Sequence, residues 1–172
     1  MRKLLVLFLF LGIFVLSGCA SDNKLDGVKQ IKKQDIFNQK EDKYFVYFHR
    51  IDCPDCDESA PMVIYYMNIL KEIPGCRNKR PVYSVLLYTE SEKPGHSVYI
   101  FREYEGTDGE GKEGTFKVTG ITDWQDLYIG STSSLISIST DKSGVKKAKF
   151  EAQGAEDITN ILNEQLGDCY NK

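Results

Sequence analysis

Cys53-Pro54-Asp55-Cys56 is the stretch of this 172-residue sequence best suited to chemistry. Two cysteines at this spacing can close a disulfide and can also exchange it. Set where a strand gives way to a helix, the first cysteine meets free N–H groups and the positive end of the helix dipole, which stabilise a thiolate. The second lies one turn further in, close enough to attack a mixed disulfide at the first. Cys53 therefore reads as the nucleophile and Cys56 as the resolving thiol, with Pro54 and Asp55 supporting the motif. Asp52, Asp55, Asp57 and Glu58 crowd the pair, and only Arg50 opposes them. Negative neighbours disfavour a thiolate, each by roughly 1 kcal/mol at about 4 Å in water. The expectation is a Cys53 thiol nearer the free value of about 8.5 than the acidic extreme, and a reducing pair.

The same residues admit two structural readings. One is an inert disulfide. The other is a zinc site built from His49, Cys53, Cys56 and Cys76, which has ligands of the right types but lacks a second paired spacing. The expectation is no metal and no bound cofactor. No nucleotide or flavin motif is present, so a reductant must arrive from another protein.

The elements that position the motif are legible on either side of it. Tyr44 to His49 (YFVYFH) is aromatic and β-branched, as a buried central strand should be. Asp57 to Ile73 reads as a largely buried helix, with Met62, Tyr66, Ile69 and Ile73 on one face, and Pro74-Gly75 stops it. Pro81 to Thr89 is a second strong strand. Ser134 to Thr140 and Val145 to Phe150 form a hairpin around Asp141 to Gly144, and Ala155 to Leu166 is a final amphipathic helix. Gln30 to Asn38 reads as a short helix. The region from about 90 to 128 is irregular, with an acidic, glycine-rich loop at Gly106 to Gly114.

On these residues the chain resembles the thioredoxin-like superfamily. Tyr44 to His49 matches the central strand, Cys53 to Cys56 the active-site motif, and Pro61 the proline inside the active-site helix. The resemblance is closer over Phe45 to Ile73 and looser over Pro81 to Leu166. It implies an α/β, three-layer fold with a central mixed sheet of about four to five strands flanked by helices. Within it, bacterial thioredoxin-like lipoproteins and bacteriocin-transport accessory proteins are the nearest type. The resemblance places the ends of the active-site helix and the last helix together, which pairs Cys76 with Cys169 in a structural disulfide. Two free thiols, or an electron relay to Cys53, are the alternatives. The sequence departs from the family at two places. Ser133 stands where the family has a cis-proline, and a cis bond before a non-proline costs about 3–4 kcal/mol, so a trans peptide is expected. Tyr47 stands where the family has a buried acid.

The first residues bear on the compartment. Arg2 and Lys3 are followed by an apolar run from Leu4 to Leu16, broken only by Gly12. A span needs about 20 residues, so this fits a secretory leader better than a membrane helix. Leu16-Ser17-Gly18-Cys19 resembles a bacterial lipobox, which implies cleavage before Cys19 and lipidation of its thiol. A plain leader or an uncleaved anchor are the other readings. The organisation expected is a leader over 1–18, a lipid-anchored tether over 19–33 and a domain over 34–169. Two acyl chains hold a protein stably at a membrane surface, here the extracytoplasmic face, where disulfides persist. Of five cysteines, four remain once Cys19 is lipidated, and four can pair completely. The net charge is −3 and no long basic run occurs, which argues against nucleic acid. The expected partners are disulfides of exported proteins or a membrane redox partner. A non-catalytic accessory domain with structural disulfides is the alternative.

Overall fold

The computed structural model describes residues 25–93, 95, 98–167 and 169. The leader and Cys19 lie outside them. Among the described residues, no helix is long and apolar enough to cross a membrane.

A mixed sheet organises the chain. Its strands are β1 (Lys29–Gln30), β2 (Lys43–His49), β3 (Val82–Tyr88), β4 (Tyr99–Ile100), β5 (Ser134–Thr140) and β6 (Lys146–Gln153). The order across the sheet is β1-β3-β2-β5-β6, with β4 also on β3. β1, β2 and β4 run parallel to β3, whereas β5 is antiparallel to β2 and to β6. The helices are α1 (Pro54–Glu72) and α2 (Ala155–Leu166). The arrangement is consistent with a thioredoxin-like α/β fold.

Alternation along β2 divides the core. Tyr44, Val46 and Phe48 face one side, and Phe45 and Tyr47 the other. Both helices pack on the Phe45–Tyr47 side, through Val63, Tyr66 and Leu70 of α1 and Ile158, Leu162 and Leu166 of α2. Among the described residues the third layer holds no α-helix, only short 3₁₀ turns. Phe116, Val118, Leu127 and Ile129, from the irregular region, are fully buried against Tyr44, Val46 and Phe48. Burying each such side chain stabilises by about 1.5–3 kcal/mol, which is enough to hold a segment with few ladder bonds of its own. Glu110 adds to this by accepting the N–H groups of Val118 and Thr119 at 2.9 and 2.8 Å. Gly130 lets the segment come close to the site loop, because a Cβ there would sit 2.4 Å from the Thr115 carbonyl oxygen.

Two expectations are corrected. Gln30 to Asn38 is not a helix: Lys29–Gln30 is a strand, and only Lys33–Asp35 makes a single 3₁₀ turn. Residues 29–33 therefore do not belong to a tether. Lys29 and Gln30 pair with Tyr83 and Ser84, and Val28 and Ile31 are buried. Parallel pairing to a neighbouring strand outweighs the weak helical pattern of a short polar stretch.

Candidate functional site

β2 is the central strand, and it delivers the chain to the site. Beyond His49 the backbone turns through Asp52, which has φ of 53°, into Cys53. Cys53 is the N-cap of α1 in extended conformation, and Pro54 occupies the first turn, where a missing N–H costs nothing. The Cys53 sulfur accepts the Cys56 N–H at 3.1 Å. Cys53 and Cys56 are disulfide-bonded, with Cα atoms 5.1 Å apart. Pro61 lies inside α1 and has no N–H to offer the carbonyl one turn back.

The loop before β5 covers the pair. The Thr132 hydroxyl donates to the Cys53 sulfur at 3.2 Å. Cys53 is only 3% exposed and Cys56 5%. No cis peptide bond occurs among the described residues, and Ser133 adopts the left-handed region with φ of 51°. Its carbonyl accepts the Gly154 N–H at 2.8 Å.

The two positions that depart from the thioredoxin-like pattern are joined by a buried chain of hydroxyls. Tyr47 Oη lies 2.7 Å from Ser59 Oγ, and Ser133 Oγ lies 2.8 Å from the same atom. Ser59 donates its one proton to the Asp55 carbonyl at 2.7 Å. Its two lone pairs then accept from Tyr47 and Ser133, so every capacity of the Ser59 hydroxyl is used. Burial pushes the Tyr47 phenol up from its ordinary range, which keeps it a neutral donor. A proton acceptor for Cys56 is accordingly not built at residue 47.

The carboxylates Asp52, Asp55, Asp57 and Glu58 are all exposed, so water screens them. Arg50 turns to Glu92, with 3.6 Å between guanidinium and carboxylate. The Cys56 N–H and the Thr132 hydroxyl meet the Cys53 sulfur at 3.1 and 3.2 Å.

Cys76 is bonded to Cys169, with Cα atoms 5.0 Å apart, at the opposite end of α1. The zinc reading loses Cys76 by this. Among the described residues no group of three or more His, Cys, Asp or Glu side chains could hold a metal ion.

His49 is buried, stacks on Tyr47 with ring centroids 5.6 Å apart, and leaves Nε2 without a hydrogen-bond partner. Burial lowers its pKa from 6.5 to about 4. The unfolded chain takes up this proton near pH 6.5 and the folded chain only near pH 4. Between those values the unfolded state holds more protons, so stability falls as pH falls. The full contribution is present above pH about 6.5, and about 3 kcal/mol is lost by pH about 4. Replacing His49→Phe keeps the stack and removes the titration. Urea unfolding at neutral pH and at pH about 4.5 should then show a much shallower acid loss than in the parent. An unchanged loss would assign the acid limb to other groups.

Ser59 and Thr132 were not evident as site residues from sequence. Their partners lie 12 and 79 residues away, and no local pattern marks such contacts. Comparison with protein-family models, with characterised proteins and with solved structures finds no match to this chain. Fold and site therefore define an α/β domain with a disulfide at a helix N-terminus after the central strand. That arrangement is compatible with redox exchange or with a structural bridge.

Proposed function

We propose that this chain is a thioredoxin-like thiol–disulfide oxidoreductase, exported and anchored by lipid at Cys19 on the extracytoplasmic face of a membrane. The observation that carries the reading is the Cys53–Cys56 disulfide at the N-cap of α1, with the Cys53 sulfur receiving the Cys56 N–H and the Thr132 hydroxyl. In the reduced protein those donors face a Cys53 thiolate. That thiolate attacks a substrate disulfide, one substrate sulfur leaves as a thiolate and takes a proton from water, and a mixed disulfide forms. Cys56, deprotonated to solvent, then attacks Cys53. The second substrate thiolate leaves, and Cys53–Cys56 is restored. Two electrons pass to the substrate, and a protein dithiol must return them. The substrates are disulfides of other exported proteins.

A second reading is a non-catalytic accessory domain whose disulfides are structural. The near-complete burial of Cys53 and Cys56 favours it, because an attacking thiolate needs access to sulfur. Titration of the pair against glutathione and dithiothreitol separates the readings. A reduction potential near −270 mV, about that of thioredoxin, supports the oxidoreductase. Cys56→Ser should then accumulate a mixed disulfide through Cys53, and Cys53→Ser should trap none. A pair that resists reduction until the domain unfolds overturns the enzyme reading and leaves the structural one.

A further inference from the structure

Charge is divided between the two ends of the domain. Exposed Asp52, Asp55, Asp57 and Glu58 surround the cysteine pair. At the far end, where β2 begins and α1 finishes, lies an open groove of about 690 Å³ lined by Lys40, Lys43, Lys71, Arg77 and Lys79. Two carboxylates, Glu41 and Asp42, share it. Glu41 is partly committed, since it accepts the Tyr83 hydroxyl at 2.6 Å. At 1.5 Å of rise per residue, Lys71 lies roughly 22 Å along α1 from Cys56.

The described chain begins at this same basic end. Leu25 and Val28 pack against the helix-side core, and Lys71 Nζ donates to the Gly27 carbonyl at 2.5 Å. β1 then runs away from the groove, parallel to β3. Five residues lie between Cys19 and Leu25, which makes six Cα-to-Cα steps. Even fully extended, they reach only about 20 Å. A lipid on Cys19 therefore attaches the domain through its basic end, within about 20 Å of the bilayer.

We propose that this basic end docks on the anionic phospholipid surface of the bilayer and turns the Cys53–Cys56 end away from it. The orientation rests on the lipid-anchor reading, whereas the charge of the groove does not. Each basic side chain near an anionic surface gains about fivefold in partitioning. Five cations against two carboxylates leave three net positive charges, or about a hundredfold. That gain fades beyond a Debye length of about 8 Å at physiological salt. It is too small to hold a free domain firmly. It suffices to orient one already tethered, because the tether supplies a high effective concentration. The acidic end is repelled by the same surface, which leaves the cysteine pair free to meet partners.

The test uses the chain from residue 19 onward with Cys19→Ser, which carries no acyl group. Its sedimentation is measured with phosphatidylcholine vesicles, with and without about one third phosphatidylglycerol. The anionic vesicles should gain about a hundredfold in partitioning at low salt, and about 1 M salt should abolish the gain. Combined Lys43→Glu, Arg77→Glu and Lys79→Glu should bring binding to the phosphatidylcholine level. Lys112→Glu, which removes a cation paired with Asp157 at the start of α2, should leave the gain in place. Equal partitioning to both vesicles overturns the proposal, as does a triple variant that keeps the preference for phosphatidylglycerol. The mass of the chain extracted from native membranes reads the anchor separately. An unacylated mass overturns the anchor and the orientation, and the vesicle comparison alone then decides the docking face.

Discussion

Removal of the Cys76–Cys169 bridge by Cys76→Ala with Cys169→Ala is expected to cost about 4–5 kcal/mol of stability. The bridge spans 93 residues, which include β3 to β6 and α2. In the chain-entropy account, a cross-link closing so long a loop withdraws about 4.7 kcal/mol of freedom from the unfolded chain. Both cysteines are buried, and Cys76 is fully so, within the helix-side core that α1 and α2 share. Alanine fills most of a cysteine's place, so the added cavity cost is small beside the lost constraint. Urea unfolding of the double variant should show a midpoint far below the parent. A loss under about 1 kcal/mol would mean that the two thiols lie close without a bond.

The same arithmetic bears on the other disulfide. Cys53 and Cys56 are three residues apart, and a loop that short contributes only about 2 kcal/mol in the same account. One bridge is thus a strong staple by its span and the other a weak one. A weak staple placed at a helix N-terminus, with two donors on one sulfur, is compatible with exchange as well as with support. The short bridge stands at the start of α1 and the long-span bridge at its end.

Much of this was legible in the sequence, for physical reasons that particular residues illustrate. Tyr44 to Phe48 alternates between two apolar faces, so β2 declares itself wherever it is read. Ala155 to Leu166 is bounded as expected, because its apolar stripe stops at Gly167 and acids open its first turn. Cys53 announces the site through spacing alone. What stayed hidden depends on distant pairing. β1 is two residues long and exists because Lys29 and Gln30 meet Tyr83 and Ser84. Phe116 and Leu127 read as parts of an irregular region, yet they cover a face of the sheet. Tyr47 and Ser133 were visible only as separate departures from a pattern. That Ser59 joins them follows from three elements meeting behind the disulfide, and nothing local in the sequence encodes such a meeting.

That junction yields the second large expected effect. Ser133→Pro is expected to destabilise this chain by about 4 kcal/mol. Proline holds φ near −65°, whereas Ser133 sits at 51°. The backbone cannot swing freely to accommodate the ring. The Ser133 carbonyl is bonded to Gly154, and the next residue, Ser134, already pairs with Phe48 and Gln153. The misfit costs about 3 kcal/mol or more, and loss of the hydroxyl that donates to Ser59 adds about 1 kcal/mol. Ser133→Gly separates the two contributions, since glycine enters the left-handed region without strain and lacks only the hydroxyl. It should lose about 1 kcal/mol or less in urea unfolding. If the proline variant is as stable as the parent and exchanges disulfides faster, the left-handed loop is dispensable. The Ser133 hydroxyl would then be dispensable as well. If instead proline destabilises and glycine does not, the cost lies in the left-handed backbone at Ser133 and not in its hydroxyl.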